Sequence, residues 1–129
     1  MDKKILITAV VLGATSVIFG AFGAHGLKAL ISAEAIQTFE TGVRYQMYHA
    51  LLLLFVGLAP SNLIPNKKTV FYLVLFGVVL FSGSIYGLAT NALTGFNFKT
   101  IGFVTPIGGA LLIAAWVLLL VAFVKSKRQ

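Results

Sequence analysis

Residues 104–124 read VTPIGGALLIAAWVLLLVAFV, 21 residues without a charge. In hydrocarbon every backbone amide must be satisfied within its own segment, so a helix crossing a bilayer needs about 20 mostly apolar residues. This stretch meets that length, and its reading decides the fold class. Moving back along the chain, residues 69–89 and 5–23 are of the same kind. A fourth apolar run, residues 44–59, is shorter. The composition agrees: 59% of the 129 residues are hydrophobic and 10% charged, where a soluble domain carries about 25% charged residues. The expected fold is all-α: a polytopic membrane protein with four transmembrane helices in a single domain over residues 1–129.

The second span sets a problem of length. From Tyr45 to Ala59 is 15 residues, which rise about 22 Å as helix against a hydrocarbon core of about 30 Å. Upstream, Ser32 is a suitable N-cap, followed by Glu34 in the first turn, where acid complements the helix dipole. No proline and only Gly42 interrupt residues 33–59. Helix 2 is therefore expected to be one long helix whose N-terminal part extends beyond the membrane. Pro60 and Pro65 enclose the connection that follows it.

The start, Met1-Asp2-Lys3-Lys4 before an apolar run, has the form of a signal peptide, with Ala21-Phe22-Gly23 as a candidate cleavage site. Its apolar run is long for a signal core, and a retained helix is expected. With four spans, one side of the membrane receives Lys3, Lys4, Lys67, Lys68, Lys125, Lys127 and Arg128, and the other receives Lys28, Arg44 and Lys99. The positive-inside rule makes the first side, with both termini, cytoplasmic. The net charge of +7 then serves orientation and contact with lipid headgroups. The tail from Lys125 to Arg128 suits anionic headgroups in particular. No surface alternates basic and aromatic residues as a nucleic-acid platform would, so nucleic acid is not an expected partner. Membrane lipids are, with a second copy or another membrane protein as further candidates.

Lipid-embedded helices associate where small residues let backbones approach. Helix 1 carries Ser16, Gly20 and Ala24 at four-residue spacing, helix 3 carries Gly83 and Gly87, and helix 4 carries Gly108 and Gly109. These positions are candidate seams, within the bundle or between copies. Pro106 falls in the first turn of helix 4, where proline is tolerated.

Polar chemistry concentrates between His25 and His49. On a helical projection Glu40, Arg44, Gln37 and Tyr48 share one sector, Thr41, Tyr45 and His49 the adjacent one, and Phe39, Val43, Met47 and Ala50 lie largely opposite. Glu40 and Arg44, four apart with the acid first, are spaced for an ion pair. His49 stands ten residues before Ala59, about 15 Å inward and so near the bilayer midplane. An ionisable group at that depth faces the bundle interior and finds a partner; Ser82 and Ser84 are the candidates. Proton transfer or ligand binding is the sharper alternative. His25, beside Gly26, is placed to cap helix 1 through a left-handed glycine, and it could meet the Glu40 region at the outer face.

The chain has no cysteine, which removes disulfides, thiolate metal sites and cysteine nucleophiles. With His25 and His49 its only histidines, no metal site and no cofactor are expected. No nucleophile elbow, phosphate loop or metalloprotease motif is present.

Two stretches, Gly20-Ala21-Phe22-Gly23-Ala24-His25-Gly26-Leu27 and Phe39-Glu40-Thr41-Gly42-Val43-Arg44-Tyr45-Gln46-Met47-Tyr48-His49-Ala50, resemble signatures of the small membrane proteins grouped as domain-of-unknown-function family 423. Phe81-Ser82-Gly83-Ser84 and Thr105-Pro106-Ile107-Gly108-Gly109 resemble its later motifs. The resemblance implies four helices and an inner- or plasma-membrane location, and it draws attention to His25, Glu40, Arg44, Tyr45, Gln46 and His49. It implies no reaction, substrate or cofactor. The expected function is non-enzymatic: lipid or partner binding in support of the cell envelope. The alternative is an oligomeric proton or small-solute transporter or channel built on His49, and a headgroup- or quinone-directed enzyme is a distant third.

Overall fold

The computed structural model describes residues 2–126. Lys127 and Arg128, the last two cations of the basic tail, lie outside the described residues. Four helices account for most of the chain: α1 (Asp2–Ala24), α2 (Ala33–Leu58), α3 (Lys67–Ala89) and α4 (Val104–Lys125). Short 3-10 turns complete the α1–α2 and α3–α4 connections, and there is no strand among the described residues.

The caps explain where α2 begins and how it leads into α3. Ser32 Oγ accepts the Ala35 N–H at 3.1 Å, and Glu34 lies in the first turn. After Leu58 the chain turns through Pro60, whose carbonyl accepts the N–H groups of Leu63 and Ile64. Ile64 is fully buried and plugs this end of the bundle. Lys67, the first residue of α3, is buried, pairs with Asp2 at 2.9 Å and also donates to the Ala59 carbonyl. One ammonium thus ties the start of α1, the end of α2 and the start of α3 together. Lys125 and Ser126 border the same corner beside Asn62 and Pro65, so both described termini and the α2–α3 connection share one end.

Neighbours in sequence pack as neighbours in space: α1 on α2, α2 on α3, α3 on α4. The central α2–α3 pair is flanked by α1, which reaches α3 through Phe19 and Tyr86, and by α4, which reaches α2 through Phe123 and Phe55. A continuous core joins Ile5 and Ala9 of α1, Leu53 and Val56 of α2, Val74 of α3 and Ala115 of α4. A smaller cluster of Leu27, Phe39 and Ala89 closes the opposite end.

Among the described residues three segments are long and apolar enough to cross a membrane: Asp2–Ala29, Lys67–Ala89 and Val104–Lys125. The outward faces of α1 and α4 carry large aliphatic residues such as Val17, Ile18, Ile113 and Leu120. Exposed apolar surface on that scale belongs in hydrocarbon rather than water. α2 is less apolar because Arg44, Gln46 and His49 interrupt it, yet it buries more residues than α1 or α4 do.

Close approaches are concentrated at a few glycines. A Cβ on Gly108 would stand 2.8 Å from the Leu80 carbonyl carbon and collide with the Phe81 nitrogen, so α3 and α4 touch backbone to backbone there. A Cβ on Gly42 would lie 2.7 Å from the Tyr86 ring, and one on Gly87 2.7 Å from the Phe98 ring. Gly20 and Gly109 meet neighbours only at ordinary van der Waals distance, and Gly83 faces open space. On α1 Ser16 is buried, but the terminal seam position is Gly23, against Phe39, while Ala24 faces outward. Gly26 has φ −66° and ψ −44°, so α1 ends without the left-handed cap expected of it and runs directly into a right-handed turn.

Candidate functional site

Gln46 is the hub of the interior. It is 4% exposed, and each end of its amide is engaged. Nε2 donates to the Leu12 carbonyl at 2.8 Å and to Thr15 Oγ1 at 2.7 Å, both on α1. Oε1 accepts the Tyr86 hydroxyl of α3 at 2.6 Å. One side chain on α2 therefore joins three helices. Tyr86 can reach it because Gly42, one turn earlier on α2, leaves room for the ring. Ser82, one turn before Tyr86, donates to the Gly42 carbonyl at 2.8 Å and fastens the same crossing.

His49 joins α2 to α4. Its Nδ1 is 2.7 Å from the Tyr45 carbonyl and its Nε2 is 3.1 Å from Trp116 Nε1. A carbonyl only accepts and an indole N–H only donates. The pair of contacts therefore assigns the ring: Nδ1 carries the proton, Nε2 accepts, and the imidazole is neutral. The ring is 4% exposed, with Trp116 set edge-on at 6.0 Å between centroids. Tyr45 packs on Tyr48, His49 and Phe81.

The other candidate residues stand apart from this interior. Arg44 faces outward and donates to Thr41 Oγ1 at 3.1 Å. It forms no ion pair with Glu40: among the described residues the one salt bridge is Lys67 with Asp2. Thr41, itself hydrogen-bonded to the Gln37 carbonyl, holds the guanidinium along its own helix instead. Glu40 lines a groove of about 510 Å³ together with Gly23, Ala24, Lys28, Ala33, Ile36 and Gln37, between the end of α1 and the start of α2. His25 is exposed at the end of α1 and does not line that groove. The structure thus buries Gln46 and His49 in the interior, sets the exposed Tyr45 against His49 at its edge, leaves Glu40 and Arg44 at the periphery, and keeps His25 separate.

Four participants escape a reading confined to residues 25–49: Thr15, Tyr86, Trp116 and the Leu12 carbonyl. The serines proposed as partners of His49 have other partners. Ser82 bonds to Gly42, and Ser84 to Thr105 and to the Phe81 carbonyl. A signal for Trp116 was present. It is the only tryptophan of the chain and lies nine residues before Lys125, about 13 Å along its helix. His49 lies at nearly the same distance from the α2 terminus at that end, so the two depths match.

Among the described residues no group of three or more histidines or carboxylates is placed to hold a metal ion. The family model described as "Protein of unknown function (DUF423)" matches residues 19–109. The chain belongs to this family. The four stretches that carried the resemblance all fall within the matched residues. Relatives of full length agree. A UPF0382 membrane protein of Staphylococcus saprophyticus is 40% identical over 120 residues, covering 90% of this chain and 96% of the relative. The UPF0382 membrane protein YwdK of Bacillus subtilis is 39% identical, covering 90% and 95%. The UPF0382 inner membrane protein YgdD of Escherichia coli K12 is 37% identical, covering 99% and 95%. No solved structure matches the chain. With three membrane-length apolar helices among the described residues and relatives named as membrane or inner membrane proteins, this member of the family is a membrane protein that sits in the lipid bilayer.

Proposed function

We propose that the chain is a four-span, multi-pass protein of the cell membrane with cytoplasmic termini. Its role is non-enzymatic: binding a lipid or a partner protein in support of the envelope. The crossing of α2 is supported by its burial. Its polar groups, Gln46 and His49, point inward and are hydrogen-bonded, so they do not meet lipid. The residues before Arg44 form the part of α2 that emerges from the membrane. The end bearing Lys3, Lys4, Lys67, Lys68 and Lys125 is the cytoplasmic one by charge.

One observation carries the choice of a binding role over transport: both nitrogens of His49 are spent on fixed partners, Tyr45 and Trp116. A relay needs a nitrogen that can exchange its proton with water or a second titratable group. His49 acts here as a strut between α2 and α4. The groove beside Glu40, Gln37 and Lys28 is the docking position we assign. It offers a carboxylate, an amide and an ammonium at the level where headgroups and partner loops lie.

Two measurements test this. Reconstituted in proteoliposomes, the wild-type protein and His49→Ala are expected to show the same proton flux as protein-free vesicles. Flux that vanishes in His49→Ala would restore the transporter reading. A photo-crosslinking residue at Gln37 is expected to capture a discrete lipid or protein adduct in cells, and the same residue at the lipid-facing Val117 is not. Indistinguishable adducts at the two positions would remove the groove from consideration.

A further inference from the structure

At the opposite end of the bundle two adjoining hollows share Lys68 and Tyr72. One, of about 240 Å³, reaches Asp2, Lys4 and Lys67. The other, of about 390 Å³, descends along α3 past Leu73 and Phe76 to Leu111 of α4. Lys68, Tyr72 and Phe76 are spaced four apart and so form one stripe along the helix, with a rise of about 12 Å from the first to the last. Polar chemistry stops at the top of that stripe. Lys4 donates to the Tyr72 hydroxyl at 3.1 Å and lies over its ring at 5.7 Å, while Tyr72 stacks on Phe76 below at 6.1 Å. Asp2, the one side-chain carboxylate at this end among the described residues, is already neutralised by Lys67. The charge of Lys4 and Lys68 therefore has no carboxylate partner among the described residues.

We propose that this continuous surface is a binding site for one anionic phospholipid. The phosphate lies between Lys4 and Lys68, where the Tyr72 and Thr69 hydroxyls add hydrogen bonds, and an acyl chain follows Phe76 and Leu111. Charge complementarity selects an anion, and the shape of the floor selects its source. A free phosphate would use only the rim, whereas the apolar trough runs about 12 Å inward, most of the roughly 15 Å depth of one leaflet's hydrocarbon. The site lies apart from the groove at Glu40 and does not depend on the role assigned there.

The test uses full-length protein, delipidated in a non-ionic detergent and titrated in native mass spectrometry with dioleoyl phosphatidylglycerol and, in parallel, dioleoyl phosphatidylcholine. The first is expected to bind at one site about thirtyfold more tightly than the second, in line with about fivefold for each of two lysines facing an anionic membrane surface. Lys68→Gln leaves Lys4 in place and is expected to cut that preference about fivefold. Lys125→Gln removes the same charge at the same end but outside the trough, and is expected to retain the preference. Leu111→Trp, with every charge in place, fills the trough and is expected to weaken binding of the anionic lipid. Equal affinity for the two lipids, equal losses in Lys68→Gln and Lys125→Gln, or full displacement by inorganic phosphate would each overturn the proposal.

Discussion

Gln46 and Tyr86 form the contact on which the interior depends most, because Gln46 is the hydrogen-bond partner of the Tyr86 hydroxyl. Interhelical hydrogen bonds in membranes are worth about 0.6 kcal/mol on average and at most about 1.7. Leaving a buried hydroxyl unpaired adds a further penalty. Gln46→Leu, which loses three bonds and orphans Tyr86, is expected to cost about 1–3 kcal/mol in an unfolding titration in mixed micelles. Tyr86→Phe keeps the ring contacts with Phe19 and Phe39 and should cost about 1 kcal/mol. Once Gln46 is gone the tyrosine hydroxyl has nothing left to lose, so the double variant is expected to be well short of the sum. Strict additivity would show that the two side chains do not act on one another.

Helix seams are decided one residue at a time, and the small residues of α3 and α4 show how. Gly83 and Gly108 look alike in sequence, each beside other small residues. A methyl at Gly108 would enter the α3 backbone, whereas one at Gly83 meets nothing within 4 Å. Gly108→Ala must push α3 and α4 apart and is expected to cost about 2–3 kcal/mol. Gly83→Ala gains helix propensity at an open position, and its expected effect is neutral to about 1 kcal/mol stabilising. Thermal unfolding in detergent compares the two. If Gly83→Ala destabilised the protein or changed its oligomeric state, Gly83 would lie in a seam between copies. α2 makes a related point. Its N-cap at Ser32 and its acidic first turn were legible, because capping is local chemistry. The partners of its buried polar residues were not, since they come from α1, α3 and α4.

The whole bundle places Asp2, the α2–α3 connection and Lys125 at one end and the other two connections at the opposite end. Because the chain has no cysteine, single cysteines report topology directly. With the basic end cytoplasmic, Asn62→Cys and Ser126→Cys in intact cells are expected to resist a membrane-impermeant maleimide until the cells are permeabilised. Thr94→Cys, on the exposed α3–α4 connection, should react at once. The reverse pattern would invert the orientation, and labelling of Asn62→Cys and Thr94→Cys from the same side would mean that α3 does not cross.

Local signals were enough for the helical class, for three membrane-length segments and for membership of the family. Each of these follows from the run length of apolar residues or from short contiguous motifs. The polar contacts were out of reach for a reason specific to lipid. α1, α3 and α4 are apolar on every side, and hydrocarbon solvates their outer faces as well as a neighbouring helix would, so no hydrophobic stripe marks which face turns inward. Gln46 with Thr15 and Tyr86, His49 with Trp116, and Gly108 against α3 come together only when the helices are rotated and packed against one another. Steric fit and unpaired hydrogen-bonding groups set that rotation, and both belong to the assembled bundle.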